Sequence, residues 1–137
     1  MKAPDTSVLV AGFDSTHPFH EPAQQTLAEV RRSGRLIAHT LAETFAVLTA
    51  AGPYGFRPAP VVTYLGAFLD RDPIALGPAA YARAVVEIGR FGVLGGAIYD
   101  ALIALAAQEG GALLVSLDRR ASATYRRCEA DFELILN

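Results

Sequence analysis

Ala112-Leu113-Leu114-Val115-Ser116-Leu117-Asp118 is the stretch that decides the fold. Residues 112–117 form a short, almost wholly apolar run, and it breaks at an aspartate from which residues 118–127 continue with helical spacing. A strand that is apolar on both faces must be covered on both faces. That is the condition of a parallel sheet buried between helices. Outward from this point the same alternation recurs. Helical periodicity is predicted over Ser7–Ala11, Glu21–Arg32, Leu41–Ala51, Val61–Asp70, Pro78–Arg90 and Ala97–Gln108, and strands over Arg35–His39, Pro73–Leu76 and Phe132–Leu136. Gly52, Pro53, Gly55, Pro58 and Pro60 punctuate the middle. The order predicts an α/β sandwich with a short, mainly parallel central sheet.

The 137 residues suggest one domain, spanning 1–137, and at 52% hydrophobic and 19% charged they can build a sizeable core, which excludes disorder. One cysteine, Cys128, can form neither an internal disulfide nor a multi-thiolate metal site, so a reducing cytoplasm is expected. Asp5 and the brevity of the apolar stretch Ser7–Phe13 argue against a signal peptide, and Asp100 interrupts the longest apolar run, which argues against a membrane span. Lys2 is the sole lysine, which excludes a P-loop.

In an open parallel sheet, ligands bind beyond the carboxyl ends of the strands, so acids placed there come first. Asp5 precedes one helical segment and Asp118 another, and each could serve simply as an N-cap. Glu43 stands three residues after Thr40, the spacing of a capping box. Asp100 differs, because Ala97-Ile98-Tyr99-Asp100-Ala101-Leu102-Ile103 is apolar on nearly every face, and a carboxylate there costs several kcal/mol unless paired. Two arrangements satisfy it. Either Asp100 pairs with an arginine such as Arg119 while the other three acids remain caps, or all four converge on a hard divalent cation, magnesium or manganese.

Asp5-Thr6-Ser7-Val8-Leu9, Ala42-Glu43, Ile98-Tyr99-Asp100-Ala101-Leu102-Ile103-Ala104 and Leu114-Val115-Ser116-Leu117-Asp118 together resemble PIN-domain nucleases, specifically VapC-type toxins of bacterial toxin-antitoxin pairs. The resemblance spans nearly the whole chain. It implies a PIN-like three-layer α/β/α sandwich and a magnesium- or manganese-dependent endoribonuclease. Asp5, Glu43, Asp100 and Asp118 match the family's catalytic, metal-holding acids, and Ser116 matches a Ser/Thr position beside the last of them. A cognate antitoxin and a homodimer are implied as well. The chain departs from the pattern in two places. Before Asp5 stands only Met1-Lys2-Ala3-Pro4, where the family has an apolar run, so the expectation is either a weak sheet edge or a true start that lies upstream. After Asp118 stand Arg119, Arg120 and Ala121, where a further acid is common, so a second metal position is in doubt.

Metal-activated water attacking an RNA phosphodiester would be the chemistry, with Asp100 or Glu43 as candidate proton acceptors. Removing the four acids from the balance takes the net charge from -2 to +2, so the remaining surface need not repel RNA. Arg119, Arg120, Arg126 and Arg127 offer phosphate contacts or an ordinary solvated helix face. For Tyr99 and Phe13, core packing is the expectation over base stacking. His17-Pro18-Phe19-His20 reads as structural, since two histidines make an incomplete metal site. The helices around Val61–Leu69 and Ala79–Ile88 suit either a partner or the core. Two rivals differ in class: a catalytically inactive PIN-like RNA- or protein-binding module, and an aspartate phosphoacceptor at Asp70-Arg71-Asp72. The second lacks both a preceding apolar strand and an interior lysine.

Overall fold

Leu114 and Val115, adjacent in sequence, serve opposite cores. In the computed structural model, which describes residues 1–136, the order is β1 (Lys2–Pro4), α1 (Thr6–Phe13), α2 (His20–Ser33), α3 (Ala38–Thr49), α4 (Pro58–Gly66), α5 (Pro78–Arg90), α6 (Ala97–Glu109), β2 (Leu113–Ser116), α7 (Arg119–Arg127) and β3 (Phe132–Leu134). The strands form a parallel sheet ordered β1-β2-β3. Ala3 pairs with Leu114 and Leu114 with Phe132. Because side chains alternate across a strand, Leu114 packs with Ala3, Ile88, Ile103 and Tyr125 on the α5–α7 side. Val115 packs with Val8, Leu9, Leu27 and Val30 on the side of α1 and α2. The predicted three-layer sandwich is the fold observed.

The first strand is firmer than its length suggests. Lys2 Nζ reaches Glu29 of α2 at 3.2 Å and Glu133 of β3 at 3.0 Å, which ties the edge strand to a covering helix and, across β2, to the far strand of the sheet. Two predicted strands shrink to a point: Arg35–His39 and Pro73–Leu76 meet in a single parallel bridge, Ile37↔Ile74. α3 already begins at Ala38, so the backbone leaves the extended conformation one residue after the bridge. The helix predicted over Val61–Asp70 instead starts at Pro58, where a first-turn proline is well placed, and ends at Gly66. α1 and α2 approach closely at Gly12, where a Cβ would stand 2.2 Å from Leu27 Cδ1 and 2.8 Å from the Tyr64 hydroxyl. That hydroxyl donates to the Leu9 carbonyl at 2.7 Å, fixing α1 from α4. No helix among the described residues is long and apolar enough to cross a membrane.

Candidate active site

β1 and β2 end side by side, and each is followed at once by a helix. Asp5 caps α1: its Oδ1 accepts from the amides of Ser7 at 3.0 Å and Val8 at 3.4 Å. Asp118 caps α7 through the amides of Arg120 at 2.8 Å and Ala121 at 3.3 Å. The capping readings are therefore correct for both, and capping holds each carboxylate at the carboxyl edge of the sheet. α6 brings Asp100 to the same cleft and α3 brings Glu43. Asp5, Glu43, Asp100 and Asp118 line one recess of about 550 Å³ together with Thr6, Ser7, His17, Tyr54 and Tyr125.

Glu43 is not part of a capping box. α3 starts at Ala38, which makes Thr40 an interior residue whose hydroxyl donates to the Ile37 carbonyl at 2.7 Å. Glu43 instead accepts from the Thr6 hydroxyl across the cleft, and His39 Nε2 lies 3.6 Å from its other oxygen. Asp5 is 3% exposed, with each oxygen engaged. Ser7 Oγ donates to Oδ1 at 2.5 Å, and Tyr125 donates to Oδ2 at 2.8 Å. Ser7 Oγ also accepts from the Leu117 amide at 2.9 Å, so one hydroxyl joins the ends of the two strands. Ser116 Oγ accepts from the Asp118 amide at 2.9 Å and lies 3.5 Å from Ser7 Oγ.

Asp100 has no counter-ion. Among the described residues the ion pairs are Lys2 with Glu29 and Glu133 and His39 with Glu43, so the expected pairing alternative with Arg119 is absent. Burial, then the charges of Glu43, Asp118 and Asp5, push its carboxyl up to about 6. Burial also raises Asp5, against the pull of the Ser116, Ser7 and Tyr125 hydroxyls. Tyr125 is raised by its own burial and by the charge of Asp5, which keeps it a donor.

Four oxygen donors of one sign with no lysine or arginine paired to them have the chemistry of a site for a hard divalent cation. The carboxylates stand around the cleft without having closed on a point: no group of three His, Cys, Asp or Glu is gathered at metal-holding separation among the described residues. By its chemistry, oxygen donors alone, the set suits magnesium or manganese.

Sequence reasoning missed Thr6, Tyr125 and His39. Tyr125 is a core aromatic whose hydroxyl finds its partner only through the packing of α7, which no local pattern encodes. Tyr99, expected in the core, is 51% exposed and lies flat against His39, with ring centroids 5.4 Å apart and planes 12° apart. Arg119 and Arg120 are exposed at the start of α7. Arg126 and Arg127 are otherwise engaged, the first over the Phe132 ring and the second with the Gly92 carbonyl at 3.2 Å. His17 and His20 serve local backbone contacts, with Nδ1 of His17 accepting from the Phe19 amide.

A sequence profile of the PIN domain family matches residues 2–127. Ribonuclease VapC40 of Mycobacterium tuberculosis is 40% identical over 136 residues, which cover 98% of this chain and 99% of that one. Ribonuclease VapC27 of the same species is 37% identical over 131 residues, covering 93% of each. Among solved structures, a chain of VapBC2 from Rickettsia felis, bound to a DNA fragment from their promoter, superposes with a TM-score of 0.63 at 18% identity over 97% of both chains. A chain of FitAB bound to the IR36 DNA fragment gives 0.69 at 15% identity, over 98% of this chain and 95% of that one.

Proposed function

The chain belongs to the PIN-domain family, in its VapC branch, and on that premise we propose that it is a magnesium- or manganese-dependent endoribonuclease, the toxin of a toxin-antitoxin pair. The observation that carries this reading is the meeting of Asp5, Glu43, Asp100 and Asp118 in one recess with no cation paired to Asp100. These four would hold the ion, which when bound supplies Lewis acidity toward a phosphodiester and makes water a stronger acid. The chain's own part is to orient. Tyr125 and Ser7 fix Asp5, while Thr6 and His39 fix Glu43, so two carboxylates are aimed before substrate arrives. The α7 cap occupies Asp118 Oδ1 and leaves Oδ2 without a protein donor among the described residues, turned to the cleft's use. Arg119 and Arg120, exposed beside Asp118, supply guanidinium groups for the RNA backbone. A cognate antitoxin is the partner that would hold such a toxin silent, and a homodimer is the assembly proposed with it.

Incubating the purified protein with RNA under magnesium, manganese or chelator tests the reading. Cleavage is expected with either ion, is expected to stop on chelation, and is expected to return when the ion is restored. Asp5→Asn and Asp118→Asn should each abolish it. Activity that survives exhaustive chelation overturns the proposal.

A further inference from the structure

Tyr99 and His39 form an aromatic pair outside the residues that line the acidic recess, yet tied to it: Tyr99 is the chain neighbour of Asp100, and His39 contacts Glu43. Tyr99 immediately precedes Asp100 on the first turn of α6, and half of its surface is open to solvent. Its hydroxyl makes no hydrogen bond to a side chain or backbone group among the described residues, so the polar tip does not account for the placement. The ring lies nearly parallel to His39. His39 is itself held within α3 by Glu43 one turn on, at 3.6 Å. A flat ring backed by a second ring, and anchored to an acid of the site, loses little freedom when something stacks on it. We propose that Tyr99, supported by His39, is a nucleobase platform: a base adjoining the phosphate that enters the acidic recess stacks on the Tyr99 ring.

This inference rests on the ribonuclease reading above and names a substrate contact for it. Single-stranded RNA is the occupant that fits, because unstacked bases dock on exposed aromatic faces and the next residue in the chain, Asp100, lines the cleft where a phosphate would sit. Stacking is tolerant of sequence, since every base has a π face. The platform therefore supplies affinity and register, and leaves discrimination between bases to other contacts.

The test uses the full chain and a set of single-stranded oligoribonucleotides of mixed sequence, each carrying 2-aminopurine at a different position. With the parent protein, fluorescence quenching is expected at one register. Tyr99→Ala should abolish the quenching and raise KM for the unlabelled oligomer by about 5- to 150-fold, the range for losing one base–aromatic stack. The effect should fall on KM more than on kcat, as for a contact made equally in ground and transition states. Tyr99→Phe, which keeps the ring, should restore both signals. Because Tyr99 is half exposed, the thermal midpoints of all three proteins should agree, which separates a lost contact from a damaged fold. Cleavage by Tyr99→Ala at the parental KM overturns the platform and leaves the ribonuclease reading standing. The same result accompanied by a changed oligomeric state assigns the aromatic pair to a protein contact, and likewise overturns it. A parent that neither binds nor cuts any of the oligomers defeats the ribonuclease reading and the platform with it.

Discussion

The Tyr125 hydroxyl donates to Asp5 Oδ2 at 2.8 Å across 120 positions of sequence, joining α7 to the residue that caps α1. Both groups are almost completely buried. A hydrogen bond to a buried carboxylate is worth about 1.5–3 kcal/mol, and it favours the ionised form of Asp5. Tyr125→Phe should therefore lower stability by about 1–3 kcal/mol in urea unfolding. It should also move the acidic limb of the cleavage profile to higher pH, because Asp5 becomes easier to protonate. An unshifted limb would remove Tyr125 from the site's electrostatics.

Asp100 yields a prediction with a definite sign. Its carboxyl stands at about 6 in the folded protein against 3.8 for an unperturbed aspartate. Between those values the folded state holds the extra proton, so metal-free protein loses stability as pH rises through that window and gains it on acidification. Asp5, also raised, acts in the same direction. Urea midpoints measured in chelator should therefore be higher at pH 5 than at pH 7, and Asp100→Asn should shrink that difference. The same variant should be inactive, at least as heat-stable as the parent without metal, and much less stabilised by added magnesium or manganese. A variant melting far below the parent in chelator would contradict the absence of a buried partner for Asp100.

Arg119→Ala combined with Arg120→Ala should weaken RNA binding and flatten its salt dependence by about one to two in the log–log slope, since each phosphate contact contributes roughly 0.7–0.9. Stabilisation by magnesium should be unchanged. Filter binding across a salt series checks this, and superimposable lines for the two proteins would take both arginines out of the interface.

Gly12→Ala should cost about 1–3 kcal/mol of stability by overpacking. The new methyl would meet Leu27 Cδ1 at 2.2 Å, and the Tyr64 hydroxyl at 2.8 Å would have to move from Leu9. A thermal melt reads the loss directly. The shift of α1 should also reduce cleavage, because Asp5, Thr6 and Ser7 sit at its other end.

The parts of this fold that were legible in the sequence were those whose signal is local. The apolar run before Asp118 gave β2 and its burial, and the lone acid in the apolar residues 97–107 marked Asp100 as needing company. Other features depended on contacts that no local pattern encodes. Thr40 and Glu43 have capping-box spacing, yet Ile37 pairs with Ile74 and lets the helix begin earlier, which frees Glu43 for Thr6. Arg35–His39 and Pro73–Leu76 have strand-like composition, but among the described residues they meet each other in a single bridge, Ile37↔Ile74, and form no ladder. Tyr99 looked like a core residue because its neighbours are apolar. The face it occupies on α6 is set by where α3 crosses, and α3 and α6 are distant in sequence.

The bond from Tyr125 to Asp5 also sets an order of events during synthesis. β1 and α1 are made first, but β2 pairs with β1 only after residue 116 has been added, and the donor to Asp5 arrives nine residues later. A chain interrupted before residue 113 carries Asp5 and Glu43 with no second strand beside them, and one interrupted before residue 125 lacks the hydroxyl that sets the Asp5 carboxylate. The four acids can therefore stand around one recess only after α7 has packed back against the residue that caps α1, so the recess is assembled from both ends of the chain and from no shorter segment.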